Sequence, residues 1–222
     1  MATGHFFEKE LDGVKAKILK MGCLVEEQIA ASIKTYATRD SVLARQTIQN
    51  DHLVNAMDVE IDEECIRLLA LYQPAARDLR FITTAMKIAT DLERMSDLAE
   101  DICERAIELL EEEPLVGHSD DIIAMANRSQ KMLVEALDAF VRKDVVQARK
   151  VCADDRFVDE LMSKVFKGLL SDMIANPAIT AHAIRVSFIG KYIERIADHA
   201  TNVAEVVVYL VEGKIIRHTV VE

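Results

Sequence analysis

This sequence predicts an all-α protein built as two tandem three-helix bundles related by internal duplication. Three observations carry the prediction. The first is a repeat. Residues 92–99 read LERMSDLA and residues 193–200 read IERIADHA, so Glu194 and Asp198 stand 101 positions after Glu93 and Asp97. An offset near half of a 222-residue chain marks a duplicated unit. The second is composition. Only 7 Gly and 3 Pro are present, too few for the turns of a β protein, while 50% of the residues are hydrophobic and can fill a core. The third is punctuation. Pro74, Pro114 and Pro177 divide the chain, as do Arg39-Asp40-Ser41, Gly117-His118-Ser119 and Lys143-Asp144. The stretches between them are rich in Ala, Leu, Glu, Lys, Arg and Met, all good helix formers.

The elements follow in order. The first helix spans about 6–38 and stops at the Arg39-Asp40 break. The second spans 42–71, with Asp40 or Ser41 as its N-cap, and closes before Pro74. The third spans 75–112 and closes before Pro114. At ~100° per residue, its Phe81, Ala85, Ile88, Met95, Ala99, Ile102, Ala106 and Leu110 share one arc. Glu93, Asp97, Asp101 and Glu104 lie far round from the centre of that arc, so the helix has a packed side and an acidic side. The fourth helix, 120–141, takes Ser119 as N-cap, and the fifth, 145–175, takes Asp144. The sixth, 178–211, opens after Pro177. Short connections make consecutive helices antiparallel. The domains are therefore 1–115 and 116–222, set end to end or side by side.

Charge narrows the function. A net charge of −11 repels nucleic acid and anionic lipid, and attracts cations and basic protein patches. MATGHFFEKEL at the start carries early acids and is not a signal peptide, and the apolar run Val206 to Val211 is too short to span a bilayer. Cys23, Cys65, Cys103 and Cys152 lie far apart with no C-x-x-C, as expected of reduced core residues in a cytosolic protein.

The repeated acids are the candidate site. Residues at i, i+4 and i+8 of a helix point to nearly the same side. Glu93, Asp97 and Asp101 form one row, and Glu194, Asp198 and Asn202 form the other. Like charges at this spacing cost ~0.2–0.5 kcal/mol per pair, a cost that a cation would remove. On the second helix Asp51, Asn55, Asp58 and Asp62 share a face, and on the fifth Asp155 and Asp159 do. If helices two and three of each bundle run antiparallel, these faces meet the rows and surround a cation with oxygen. All-oxygen ligation suits Mg²⁺, Ca²⁺, Mn²⁺ or iron and disfavours zinc. The plain alternative is a solvated acidic face. A di-iron enzyme needs Glu-x-x-His on two helices, which the chain lacks, and no nucleophile elbow occurs. The protein is therefore read as a non-enzyme. His199 lies on the wrong side of Glu194 for a ligand, and His182 and His218 read as surface residues. Arg94 and Arg195 each follow a row Glu and are expected to bridge to an acid on a neighbouring helix, with Arg80 doing likewise. The nine Met read as core filler.

LERMSDLAED and IERIADHATN resemble the doubled L-E-R-I-G-D-H-A-x-N signature of the PhoU family of phosphate-signalling regulators. QPAARDLR at 73–80, DHLVNAMDVEIDEE at 51–64, DDRFVDELM at 154–162 and VEGKIIRH at 211–218 extend the resemblance over essentially the whole chain. It implies two three-helix bundles. It also implies a cytoplasmic accessory protein, recruited to the inner membrane by protein partners rather than inserted. Those partners are a phosphate transporter ATPase subunit and a phosphate sensor histidine kinase, with the chain itself a homodimer. The implied role is to link the two and to repress the phosphate-starvation response when phosphate is plentiful. Metal-holding members use Glu or Asp followed four later by Asp. These pairs fall here on Glu93 with Asp97, Asp97 with Asp101, Asp155 with Asp159, and Glu194 with Asp198. The expected ligand set is Asp51, Asn55, Asp58, Glu93, Asp97 and Asp101 in one half, and Asp155, Asp159, Glu194, Asp198 and Asn202 in the other. The ion would be iron, Mn or Mg. Ser96 and Ala197 replace the usual Gly, Leu98 replaces a His, and Asn55 stands where an acid is common. Two alternatives remain open: a metal-storing or metal-sensing helical protein, and a carboxylate-metal enzyme.

Overall fold

Two corners of the chain fold in the same way and show the duplication directly. At the first, Arg39 takes a left-handed φ of 58°, and Asp40 (φ −88°, ψ 97°) accepts the Val42 and Leu43 N–H groups at 3.0 Å each. At the second, Lys143 takes φ 55°, and Asp144 (φ −89°, ψ 98°) accepts the Gln147 N–H at 3.0 Å. Each Asp caps a helix whose first donors would otherwise lack partners. The structure, a computed structural model, describes residues 2–110 and 118–216. The helices are α1 (Ala2–Thr38), α2 (Ser41–Tyr72), α3 (Ala76–Glu108), α4 (Ser119–Arg142), α5 (Val145–Ala175) and α6 (Thr180–Glu212). A 3-10 turn at Pro177–Ile179 precedes α6, and no strand occurs among the described residues.

Three local expectations change. Ser119 is the first residue of α4, not its cap; His118 holds the cap position and makes no capping bond. Its ring nitrogen Nε2 instead lies 2.7 Å from Asp172 Oδ2, because α5 returns past the start of α4. The regular part of α3 ends at Glu108, where the Arg39 guanidinium takes the carbonyls of Leu109 and Leu110 at 2.7 and 2.5 Å. Cys23 is exposed rather than in the core. The breaks at Pro114 and Gly117, the 115/116 boundary, residues 111–112 of the predicted third helix and His218 lie outside the described residues.

The two bundles lie side by side. Within the first, α1, α2 and α3 pack mutually; within the second, α4, α5 and α6 do. The halves join through α3 against α6 and α1 against α4, while α2 and α5 stay on the outer flanks. One apolar cluster runs through both halves, from Ile18, Ile61 and Ile88 to Phe140, Val165 and Ile196. Met21, Met57, Met95, Met125, Met132 and Met162 are buried in it, as expected of filler.

The register of α3 on α6 is fixed by polar pairs. The Asn202 amide donates to Asp91 Oδ1 at 3.2 Å, and Arg185 donates to Glu108 Oε2 at 3.3 Å. Asp101 acts on Tyr192, and Arg80 lies against Gly213. In every pair the two residue numbers have the same sum, so the helices run antiparallel about a pseudo-two-fold axis. Neighbours on three sides bury more of α3 than the predicted arc: Leu92, Ala89 and Leu98 are also in the core. The acidic side is thereby drawn into the seam against α2.

Candidate functional site

In the first half the seam between α2 and α3 begins at Asp51, only 7% exposed. Its Oδ1 accepts the Ser96 hydroxyl and its Oδ2 the Asn55 amide, each at 2.6 Å. The Ser96 hydroxyl also meets the side-chain amide of buried Gln28 on α1. Around this node the carboxyls of α3 are pushed above their usual range. For Glu93 burial is the larger cause and the Asp97 charge the next; for Asp97, burial and then Asp51. Glu100 is raised by burial and by Asp51. Asp58 is raised by burial and by Asp62, and the Oδ1 atoms of both are buried without a hydrogen-bond partner. Burial and Glu104 raise Asp101, while Arg105 and Arg195 oppose the rise, since Asp101 faces α6 more than α2.

The row is not free of cations. Arg94 lies 3.3 Å from Glu93 and 3.1 Å from Asp97. It pairs along its own helix instead of bridging to a neighbour. Arg80 forms no ion pair among the described residues.

In the second half Asp155 is pushed up to about 6, first by burial, then by Asp198 and Asp159. Its Oδ1 is buried with no hydrogen-bond partner. Asp159 is raised by burial and by Glu194, and Asp198 by burial and then Glu194 and Asp159. Lys191 pairs with Glu194 and tempers both. Asn202 does not join this seam: with His199 Nδ1 (2.8 Å from the same oxygen) it holds Asp91 of α3. Nor is His182 a surface residue; it is 7% exposed.

The two halves differ where the repeat substitutes polar by apolar residues. Asp144 stands 104 positions after Asp40, and the same offset carries Asp51 to Asp155 and Gln28 to Met132. The offset of 101 on α3 and α6 carries Ser96 to Ala197. The partners of Asp51 are thus absent from the second half, and Asp155 Oδ1 is left without a partner, with Thr201 the hydroxyl that tempers its rise.

In sequence Ser96 stands out only as a replacement for the usual Gly, and the expected ligand set holds neither Gln28 nor Glu100. Glu100 was visible as an acid three places after Asp97. Gln28 gave no signal, because its role depends on α1 packing behind the seam. Oxygen donors, raised carboxyls and orphaned buried oxygens at Asp58, Asp62 and Asp155 match the demand of a cation in donor type and charge. They are not a preassembled cage. Among the described residues no group of three or more His, Cys, Asp or Glu is disposed to hold a metal ion.

A doubled three-helix unit with an acid-lined seam in each half defines a class of duplicated helical-bundle protein. The PhoU domain model matches the chain twice, over residues 18–106 and 122–207. The chain belongs to the PhoU family. It is 39% identical over 212 residues to the phosphate-specific transport system accessory protein PhoU homolog of Pseudomonas aeruginosa, covering 96% of this chain and 88% of the relative. The crystal structure of PhoU from Pseudomonas aeruginosa superposes with a TM-score of 0.91 at 39% identity, over 94% of this chain and 100% of that one. The phosphate transport system regulatory protein PhoU from Streptococcus pneumoniae superposes with a TM-score of 0.87 at 29% identity, over 94% and 98%.

Proposed function

We propose that this chain is a regulatory accessory protein of phosphate transport that acts by binding. The observation that carries the reading is the doubled PhoU domain, with relatives named as accessory and regulatory proteins of phosphate transport. The partners proposed are a phosphate transporter ATPase subunit and a phosphate sensor histidine kinase, held together so that the kinase stays off when phosphate is plentiful. No described helix is long and apolar enough to cross a membrane, so protein contacts would bring this −11 chain to the inner membrane. Deleting its gene, with no paralogue present, should switch on phosphate-starvation genes in phosphate-rich medium. Continued repression in that strain refutes the assignment.

The acid seams are proposed as sites for an oxygen-ligated divalent or ferric ion. When bound, the ion supplies positive charge. In the first half Asp51, Asp58, Glu93 and Asp97 would hold it, beside Asn55, and Asp101 could join only by turning from α6 to the seam. In the second half Asp155, Asp159, Glu194 and Asp198 would do so, and Asn202 could join only by releasing Asp91. Each carboxylate contributes an oxygen and loses its repulsion from the next. Binding to the native state alone stabilises it by mass action, about 2.7 kcal/mol at a hundredfold excess over Kd. The double variant Asp97→Ala, Asp198→Ala should therefore lose the metal-induced rise in Tm that the parent shows with Mn²⁺ or Mg²⁺. An unchanged rise means that other residues hold the ion.

A further inference from the structure

The segment QPAARDLR is not used by either acid seam. It opens α3 beside a cavity of about 520 Å³ at one end of the molecule, where α1, α3, α4 and α6 meet. Lys15, Arg77, Arg80 and Lys143 line it, three from the first half and one from the second. Arg67, Arg94, Arg105, Arg128 and Arg149, by contrast, sit on acids. Here the side chains of Arg77, Arg80 and Lys143 make no ion pair or hydrogen bond among the described residues. Lys15 Nζ donates only to the Val141 carbonyl, at 3.0 Å. Glu8, Asp12 and Asp78 share the lining, three acids to four cations, and form no ion pair with them among the described residues. In a chain of net charge −11, four cations gathered at one cavity and not engaged in ion pairs mark a place for an anion.

The floor of the cavity is apolar. Phe81 and Phe140 lie nearly parallel, with ring centroids 6.0 Å apart and planes at 18°, beside Leu11, Leu210 and Val211. Gly213 ends α6 at φ 71°, and a Cβ there would lie 2.3 Å from Arg80 Nη1. A cavity of this volume with an apolar floor and a few polar groups has the form of a small-molecule site, ~300–1,000 Å³.

We infer that this cleft binds a phosphorylated metabolite bearing an aromatic ring, of the class of a nucleoside phosphate. The phosphates meet Arg77, Arg80, Lys15 and Lys143, for which the guanidinium fork is suited. The ring lies on the Phe81 side of the floor, and Glu8, Asp12 and Asp78 accept from hydroxyl or amino groups. Inorganic phosphate uses only the cations and leaves the apolar floor in water. This reading goes beyond the role in phosphate transport and does not depend on it.

The test uses the full chain in EDTA, so that no metal in the acid seams can recruit phosphate. A fluorescent N-methylanthraniloyl ADP is titrated in, then displaced by ADP, adenosine or inorganic phosphate. Saturable binding is expected, displaced best by ADP. Losing one charged hydrogen bond weakens binding by roughly tenfold, so Arg77→Gln and Lys143→Gln should each do so. Both positions are exposed and their removal leaves the core intact. Phe81→Ala should weaken ADP without changing the affinity for inorganic phosphate. The Asp97→Ala, Asp198→Ala variant should bind like the parent. The inference is overturned by no saturable signal at millimolar nucleotide, by unchanged binding in Arg77→Gln and Lys143→Gln, or by inorganic phosphate displacing the probe as well as ADP.

Discussion

Asp51 and Asp155 occupy equivalent places and meet opposite fates. Asp51 has two hydrogen-bond donors within 2.6 Å, whereas Asp155 has a buried oxygen with none. Asp155 rises from its ordinary 3.8 to about 6, so the folded state binds its proton more tightly than the unfolded state does. The cost to stability is absent below pH 3.8, grows between there and about 6, and is complete above. Stability from this group therefore falls as pH rises through that window. With screening at a half-exposed carboxyl allowed for, the loss is about 1 kcal/mol. Asp155→Asn should raise Tm at pH 7.5 in chelator, and the gain should vanish near pH 4; a gain independent of pH counts against the cause given. The converse change tests Asp51. Ser96→Ala removes a buried donor and should cost about 1–3 kcal/mol in a denaturant melt. The equivalent Ala197→Ser should be far milder or stabilising, since Asp155 Oδ1 lacks a donor. Sequence alone suggested acids of similar standing in the two halves. It could not reveal this difference, which depends on residues from a third helix.

At the scale of elements, what was legible was what is local. Proline positions, the Asp40 and Asp144 caps and the two acid rows are written within a few residues of where they act, and the helices they delimit form. The α4 cap failed because a tertiary contact, Asp172 to His118, outweighed a local preference. The α3–α6 register was illegible because its pairs are separated by more than seventy residues. The same locality makes the caps predictable in energy. Asp40 and Asp144 share dihedrals to within a degree, so Asp40→Ala and Asp144→Ala should each cost about 1 kcal/mol by chemical denaturation. Asp40 takes two N–H groups and Asp144 one, so the Asp40 loss should be the larger. A negligible loss at both positions would mean that the corners are held by packing alone.

For the whole molecule, duplication of sequence did not produce two independent bodies. α3 and α6 are each buried by neighbours from both halves, and Leu98, Ile102, Val186 and Val203 lie in a cluster continuous across the junction. Pulling the halves apart would expose those faces together with the α1–α4 contact and break the Asp91 and Glu108 pairs. Neither repeat can then unfold without uncovering the other. Apolar burial contributes ~25 cal/mol per Å², so a junction made by two helix pairs outweighs the 5–15 kcal/mol of a typical domain's net stability if even a few hundred Å² open on each side. The expected result is one cooperative transition, with calorimetric and van't Hoff enthalpies equal for the full chain. The first repeat alone, residues 1–115, should not persist as a monomer. Its open α1 and α3 faces would pair two copies about the same pseudo-two-fold axis, since α3 of one can replace α6 of the lost half. Sedimentation showing a stable folded monomer of that fragment, or two separate heat-absorption peaks for the whole chain, would establish independent bundles instead.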